Sequence, residues 1–279
     1  MTAKSLDDYL STVHLIRDDW DIPAHKELWF RAEDEKHVKT RLQPCLYRPK
    51  PGTRRKPIKE LLEIENDLYD EFTRCGPQLD DTRFQDQEWD PYFMMQHHGA
   101  PTRLLDWSDS ALVALHFAVR AKVAPFDSGS IIYVLDSYWL DDLLEESRDR
   151  ARSIRRWEKY CGKHVNRDRE DWDRLYLPMD DDDDPLLATP KSPLLWDSPH
   201  VSRRVAAQRS RFMIFGTDPA WLSNIAGRRS ARIHSIHIPS GAIAGIKQDL
   251  RDAGVTESVV FPDWDGLGRE LRQIWDARR

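Results

Sequence analysis

From Ile58 to Cys75 the apolar residues Ile58, Leu61, Leu62, Leu68 and Phe72 recur at intervals of three and four, which predicts an amphipathic helix. Glu65 falls on the same stripe, between Leu61 and Leu68. A carboxylate turned inward is costly unless it meets an arginine or backbone donors, so Glu65 is expected to have such a partner. Similar spacing predicts helices over about 5–18, 88–98 and 110–121, an Arg- and Glu-rich helix from 139, and helices within 240–254 and 265–275. Gly99 and Pro101 end the third of these, and Ser108 or Asp109 is placed to cap the fourth. β-Branched and aromatic runs predict strands at 27–33, 102–107, 129–136, 211–215 and 230–239, with Ser258–Pro262 as a last short strand. Helices and strands are interspersed and no internal repeat is visible. The pattern predicts an α+β chain: one domain over residues 1–279, with a mixed central sheet and flanking helices.

One region breaks the pattern. Residues from about 140 to 195 read as a charged insertion or excursion, ending in the five aspartates Asp180–Asp184. Such a run is a solvated loop far more often than a metal cage, because nothing holds the carboxylates together.

The stretch from Phe93 to Val119 combines strand and helix signals with an unusual density of polar groups. Gln96, His97, His98, Thr102, Arg103, Asp106 and Ser108 lie among Leu, Trp and Phe anchors. Each has an ordinary structural reading: a buried histidine in a hydrogen bond, a turn closed by Thr102 and Arg103, a core Trp107. Together, placed where a strand ends at a helix N-terminus, they suit an anion- or nucleotide-binding pocket. Adjacent His97 and His98 point to different faces of a helix, which suits no common zinc geometry, and no metal is expected. No nucleophile elbow, Walker loop, dinucleotide glycine motif or metalloprotease motif is present.

Charge narrows the field. The net charge of −6 implies no global attraction to nucleic acid, yet residues 201–232 hold Arg203, Arg204, Arg209, Arg211, Arg228, Arg229 and Arg232 against Asp218 alone. That segment reads either as a solvated face or as a local phosphate-binding surface. The three cysteines, Cys45, Cys75 and Cys161, form no CxxC pair, so reduced thiols are expected. No signal peptide and no apolar run long enough to span a membrane are seen, so a cytoplasmic location and no membrane partner are expected.

The blocks WFRA at 29–32, QHHGAPTRLLDWSDSALVALHFA at 96–118, RRVAAQRSRF at 203–212 and FPDWDGLGREL at 261–271 resemble the FRG domain family, named for its Phe-Arg-Gly motif. The second block is the most specific, and together the blocks span about residues 28–275. Two positions depart from the family pattern: Ala32 stands for the Gly of Phe-Arg-Gly, and Ser210 for a Gly that commonly follows the Gln. Arg31, Arg204 and Gln208 are kept.

The order of these parts also resembles the ADP-ribosyltransferase fold of the Arg–Ser–Glu type. That resemblance implies NAD as substrate and a site in which Arg31 holds its pyrophosphate or ribose, Ser108 orients the nicotinamide ribose, and Gln208 stands at the place of the Glu. His97, His98, Thr102, Arg103, Asp106, Trp107 and Arg204 would complete the binding site. Glu65 or Asp106 could supply the charge that Gln208 lacks, and His97, His98 or Asp106 could serve as acid or base. The implied activity is NAD-dependent ADP-ribosyl transfer to a macromolecule, either nucleic acid or protein, by a toxin or anti-phage effector that would have a neutralising partner. The alternative is a nucleotide-binding or sensing module without turnover. A nuclease-like activity is a weaker third reading, since no set of metal carboxylates stands out beyond the loop aspartates.

Overall fold

The computed structural model describes residues 1–78, 88–120, 128–164, 172–178, 189–197 and 202–278. Strand β1 (Leu28–Asp34) pairs with β3 (Ser130–Asp136) along its whole length, and β3 pairs in turn with β6 (Ile233–Ile238). A second trio consists of β2 (Leu104–Ser108), β5 (Ser210–Ile214) and the edge strand β4 (Leu194–Trp196). The six strands form one sheet in the order β4-β5-β2-β1-β3-β6. Every pairing between them is antiparallel, whereas a mixed sheet was expected; the isolated bridge Thr2–His237 is parallel. Burial patterns do not encode strand direction, so pairing sense is not readable from them.

The two trios meet at a single register pair, Phe30 opposite Ser108. Continued register would set Ala32 opposite Asp106, but no such pair forms. Instead the guanidinium of Arg31 donates from Nη1 to the carbonyl oxygen of Asp106 at 2.6 Å. The side chain thus satisfies an acceptor that the opened ladder leaves free. The sheet is continuous, with a seam down its middle.

Helices cover both faces. Helix α1 (Leu6–Asp19) starts at Ser5, whose hydroxyl accepts from the Asp8 amide at 3.1 Å, and buries Tyr9, Val13 and Ile16. These pack with α4 (Ala111–Arg120), α9 (Ile243–Asp252), and Leu28, Phe30, Ile132, Val134, Ile236 and Ile238 of the β1–β3–β6 trio. On the β4–β5–β2 side, α3 (Trp89–His97) packs Trp89, Tyr92 and Phe93 on Leu104, Phe212 and Ile214. The opposite face carries Trp29, Leu105, Trp107, Tyr133, Leu135 and Met213. They are covered by Leu61 of α2 (Ile58–Cys75), Leu140 and Leu144 of α5 (Ser137–Glu145), and Leu222 of α8 (Trp221–Ala226).

Two local expectations are corrected. Ser258–Pro262 is not a strand: α10 (Glu257–Val260) is a helical turn, because Glu257 turns inward to arginines and Val260 and Phe261 bury against Val113. A short apolar run does not distinguish strand from helix. The cap of α4 is Ser110 rather than Ser108 or Asp109, its hydroxyl accepting from the Val113 amide at 3.4 Å. The charged excursion is anchored where described. Helix α6 (Arg148–His164) and the 3-10 turn Trp172–Tyr176 lead to β4, and the hydroxyl of buried Tyr176 donates to the Ser192 carbonyl at 2.9 Å. Asp180–Asp184 lie outside the described residues.

The short helix α7 (Arg203–Ala207) precedes β5, and α11 (Trp264–Ala277) follows α10 near the C-terminus. Among the described residues no helix is long and apolar enough to cross a membrane.

Candidate functional site

Leu104, Asp106 and Ser108 alternate onto one face of β2, the face that α3 and α4 cover side by side. Apolar Leu104 lies beneath α3. Asp106 and Ser108 fall at the seam, between the two helices, and Ser210 lies across from Ser108 on β5. The gap is a cavity of about 260 Å³. Its walls are Phe30, Arg31 and Ala32 of β1, Gln96 and His97 of α3, Ala114 and Phe117 of α4, and Arg204, Val205 and Gln208 on and after α7.

Arg31, Ser108 and Gln208, from three distant segments, line this one cavity, with Arg204, His97 and Asp106. The protein already engages several of them. Arg31 donates from Nε to Glu33 at 3.0 Å as well as to Asp106. The Ser108 hydroxyl donates to the Gln208 carbonyl at 2.7 Å and accepts from the Ser110 amide at 3.1 Å. The Gln208 side-chain amide donates to the Val260 carbonyl at 3.3 Å. Arg209, which follows, takes a left-handed conformation (φ 48°), leading the chain from α7 into β5 beneath the cavity.

Other candidates fall elsewhere. Arg103 points away from the cavity and is fully buried. Its Nε donates to Glu65, its Nη2 to the Tyr176 carbonyl, and its backbone amide to Glu65 at 2.7 Å. Tyr92 donates its hydroxyl to the same carboxylate. Glu65 therefore has both kinds of partner its place on the apolar stripe requires, and is not free to act in the cavity. His98 is exposed at the end of α3, outside the cavity lining. Trp107 borders the cavity, but its side chain packs with Leu105 and Met213 in the core of the other face. Thr102, fully buried, acts at one remove: its hydroxyl donates to the Gln96 side-chain oxygen, and the Gln96 amide donates to the Asp106 carboxylate at 2.8 Å. This chain of bonds aims Asp106 into the cavity. Gln96 belongs to the polar cluster seen in the sequence, but its part as the middle link, and Phe117 and Phe212 as lining, are not given by motif spacing.

The Asp106 carboxylate is wetted by the cavity yet surrounded by protein on most sides. Burial raises its pKa above the ordinary aspartate value, while the Arg31 charge and the Gln96 hydrogen bond pull it back. Burial likewise pushes His97 down to about 4, aided by the charges of Arg204 and His98 and opposed by Asp263. His97 is therefore neutral at pH 7. The sign follows: its contribution to stability is complete above the unfolded value near 6.5 and is lost as pH falls toward 4. An NMR titration of the His97 ring is expected to show its midpoint well below 5, and a midpoint near 6.5 would contradict this environment.

The Arg-rich segment is not one open basic surface. Arg211 pairs with Asp109 and Glu27, each at 2.8 Å, Arg209 with Asp109, and Arg232 with Asp136 at 2.9 Å. A larger cleft of about 480 Å³ lies between α4, α9 and α11, but its carboxylates Glu257, Glu270 and Asp276 are engaged by Arg120, Arg269, the Ser258 amide and Arg272. Among the described residues no cluster of His, Cys, Asp and Glu is placed to hold a metal ion.

The antiparallel sheet thus opens at a polar seam, with a carboxylate, a neutral histidine and two arginines around the opening. Residues 26–126 match the family model of the FRG domain. The matched span runs from before β1 to beyond α4 and so includes Arg31, His97, Asp106 and Ser108; Arg204 and Gln208 lie outside it. No curated protein and no solved structure matches the chain.

Proposed function

We propose that the seam cavity binds NAD and that the protein is an ADP-ribosyltransferase-like enzyme acting on a macromolecular acceptor. The observation that carries this reading is the meeting of Arg31, Ser108 and Gln208 in one cavity with the Asp106 carboxylate. Breaking the nicotinamide–ribose bond develops positive charge on the sugar, and a carboxylate is needed to stabilise it. Gln208 is neutral, so it can orient a hydroxyl but cannot supply that charge. Asp106, aimed by Gln96 and Thr102, supplies it. In the transfer, the C1′–N bond breaks with its electron pair leaving on nicotinamide. An acceptor oxygen or nitrogen then bonds to C1′ and gives its proton to neutral His97. Both roles require the deprotonated form, so activity is expected to fall only on the acid side, as Asp106 and His97 protonate.

The cavity lies just under the roughly 300–1,000 Å³ typical of small-molecule sites. It takes in part of a dinucleotide, and the remainder lies along the open surface. Transfer to an essential macromolecule, nucleic acid or protein, would suit a toxin or anti-phage effector. A second reading, a nucleotide-binding module without turnover, is favoured by one observation: the Ser108 hydroxyl and the Gln208 amide are both spent on backbone carbonyls. Incubation with labelled NAD and cell extract separates the two. The enzyme is expected to transfer label to macromolecules, and Gln208→Ala and Arg31→Ala to abolish transfer. Saturable NAD binding without labelled product supports the module instead.

A further inference from the structure

The two arginines of the cavity are not equivalent. Arg31 is bonded to Glu33 at 3.0 Å and to the Asp106 carbonyl at 2.6 Å, so its charge is matched and two of its donors are used. Arg204 has neither kind of partner: no carboxylate lies within ion-pair distance of it among the described residues, and its guanidinium lies 4.6 Å from the centre of the Phe261 ring. Two more guanidinia share that ring, Arg120 at 3.9 Å and Arg269 at 5.1 Å. Both are tied to one buried carboxylate, Glu257, which accepts from Arg120 Nη2 at 2.7 Å and from Arg269 Nε at 2.6 Å. Three positive charges therefore surround Phe261 with one directly paired negative charge, and the acids that act on Arg204 from beyond ion-pair distance are Asp263 and then Asp106.

We infer that Arg204, rather than Arg31, is the phosphate-binding residue of the cavity, holding the pyrophosphate of the bound nucleotide, while Arg31 is a positioning residue that braces the open seam. The inference rests on the NAD reading of the same cavity. Its physical basis is the mismatch of charge. A half-buried guanidinium at a cavity wall, backed by two others that share a single carboxylate, sits in a positive potential that an incoming anion relieves. Consistent with this, burial holds Arg204 below the usual arginine range; Asp263 is the largest charge acting on it and opposes the shift, Arg120 and Arg269 add to it, and Asp106 opposes it. Stacking on Phe261 fixes the plane of the guanidinium, so little freedom is lost when its fork meets phosphate oxygens. Arg31 would have to give up Glu33 or the Asp106 carbonyl to do the same.

The test uses calorimetric titration of the full chain with NAD and with nicotinamide riboside, which has no phosphate. Arg204→Gln is expected to weaken NAD binding by about tenfold or more, the worth of a charge-assisted hydrogen bond, while riboside affinity stays within about twofold. Arg204→Lys, which keeps the charge, is expected to recover part of the loss. Arg31→Gln is expected to weaken both ligands alike, because it disturbs Asp106 and the seam. If the wild type binds NAD and Arg204→Gln binds it as well, or loses NAD and riboside equally, the assignment to Arg204 is overturned and the NAD reading stands. If the wild type binds neither ligand, the NAD reading itself fails and takes this assignment with it. Unchanged melting of Arg204→Gln is the control that the variant is folded.

Discussion

Arg103→Ala is expected to destabilise the fold by about 3–5 kcal/mol, the cost of leaving a buried ionic partner uncompensated. Few substitutions in this chain remove so many bonds at once. Arg103 joins Glu65 of α2, the Tyr176 carbonyl of the excursion and, at 3.3 Å, the Phe215 carbonyl after β5. Burial alone would push Arg103 down, but Glu65 and the other neighbours more than offset it and hold the guanidinium above its usual range. Truncation strands the Glu65 carboxylate and two carbonyls in a place water does not reach. Glu65→Gln is expected to cost less, since the amide keeps a hydrogen-bond acceptor for the Arg103 backbone. Chemical denaturation of both variants checks the order. A loss below about 1 kcal/mol for Arg103→Ala would show that the network is slack or wet, because that is the range of an exposed pair.

Asp106→Asn is expected to lower the rate of nicotinamide release on the order of 10²-fold or more while leaving NAD affinity within a few-fold. Asn has the size of Asp, and its side-chain oxygen still accepts from Gln96, so the cavity keeps its shape. Only the charge is removed, and the charge is what a cationic sugar requires. A variant as active as wild type would move the carboxylate role away from Asp106. Among the described residues that line the cavity Asp106 is the only carboxylate, since Glu65 is enclosed by Arg103 and Tyr92. Thr102→Val, which breaks the first bond of the chain that aims Asp106, is expected to give a smaller loss of the same kind.

Local features were readable before the fold was known. The stripe of α2 with Glu65 turned inward requires an arginine or backbone donors, and Arg103 supplies both. The Gly99 turn, which takes φ 82°, ends α3 where Gly and Pro require it. What periodicity does not contain is long-range pairing. Nothing in the residues of β1 or β2 says that the two strands touch at Phe30 and Ser108 alone, yet that break opens the cavity. For the same reason Arg103 and Asp106, three residues apart and equally polar, read alike in sequence but end on opposite faces of β2. Alternation separates them, and which face holds the seam is decided by how α3 and α4 part. Edge strand β4 has only three residues, too few to give a period. The helical turn at Glu257 depends on two arginines and one histidine from other elements, so it looks like a strand when its own residues are read alone.

The most direct measurement is a crystal structure of the protein with NAD at saturating concentration. The account predicts density for the dinucleotide in the seam between Phe30 and Ser108, its nicotinamide ribose beside Asp106, Ser108 and Gln208 and its phosphates against Arg204. An empty seam, or NAD seated in another cleft, would contradict it.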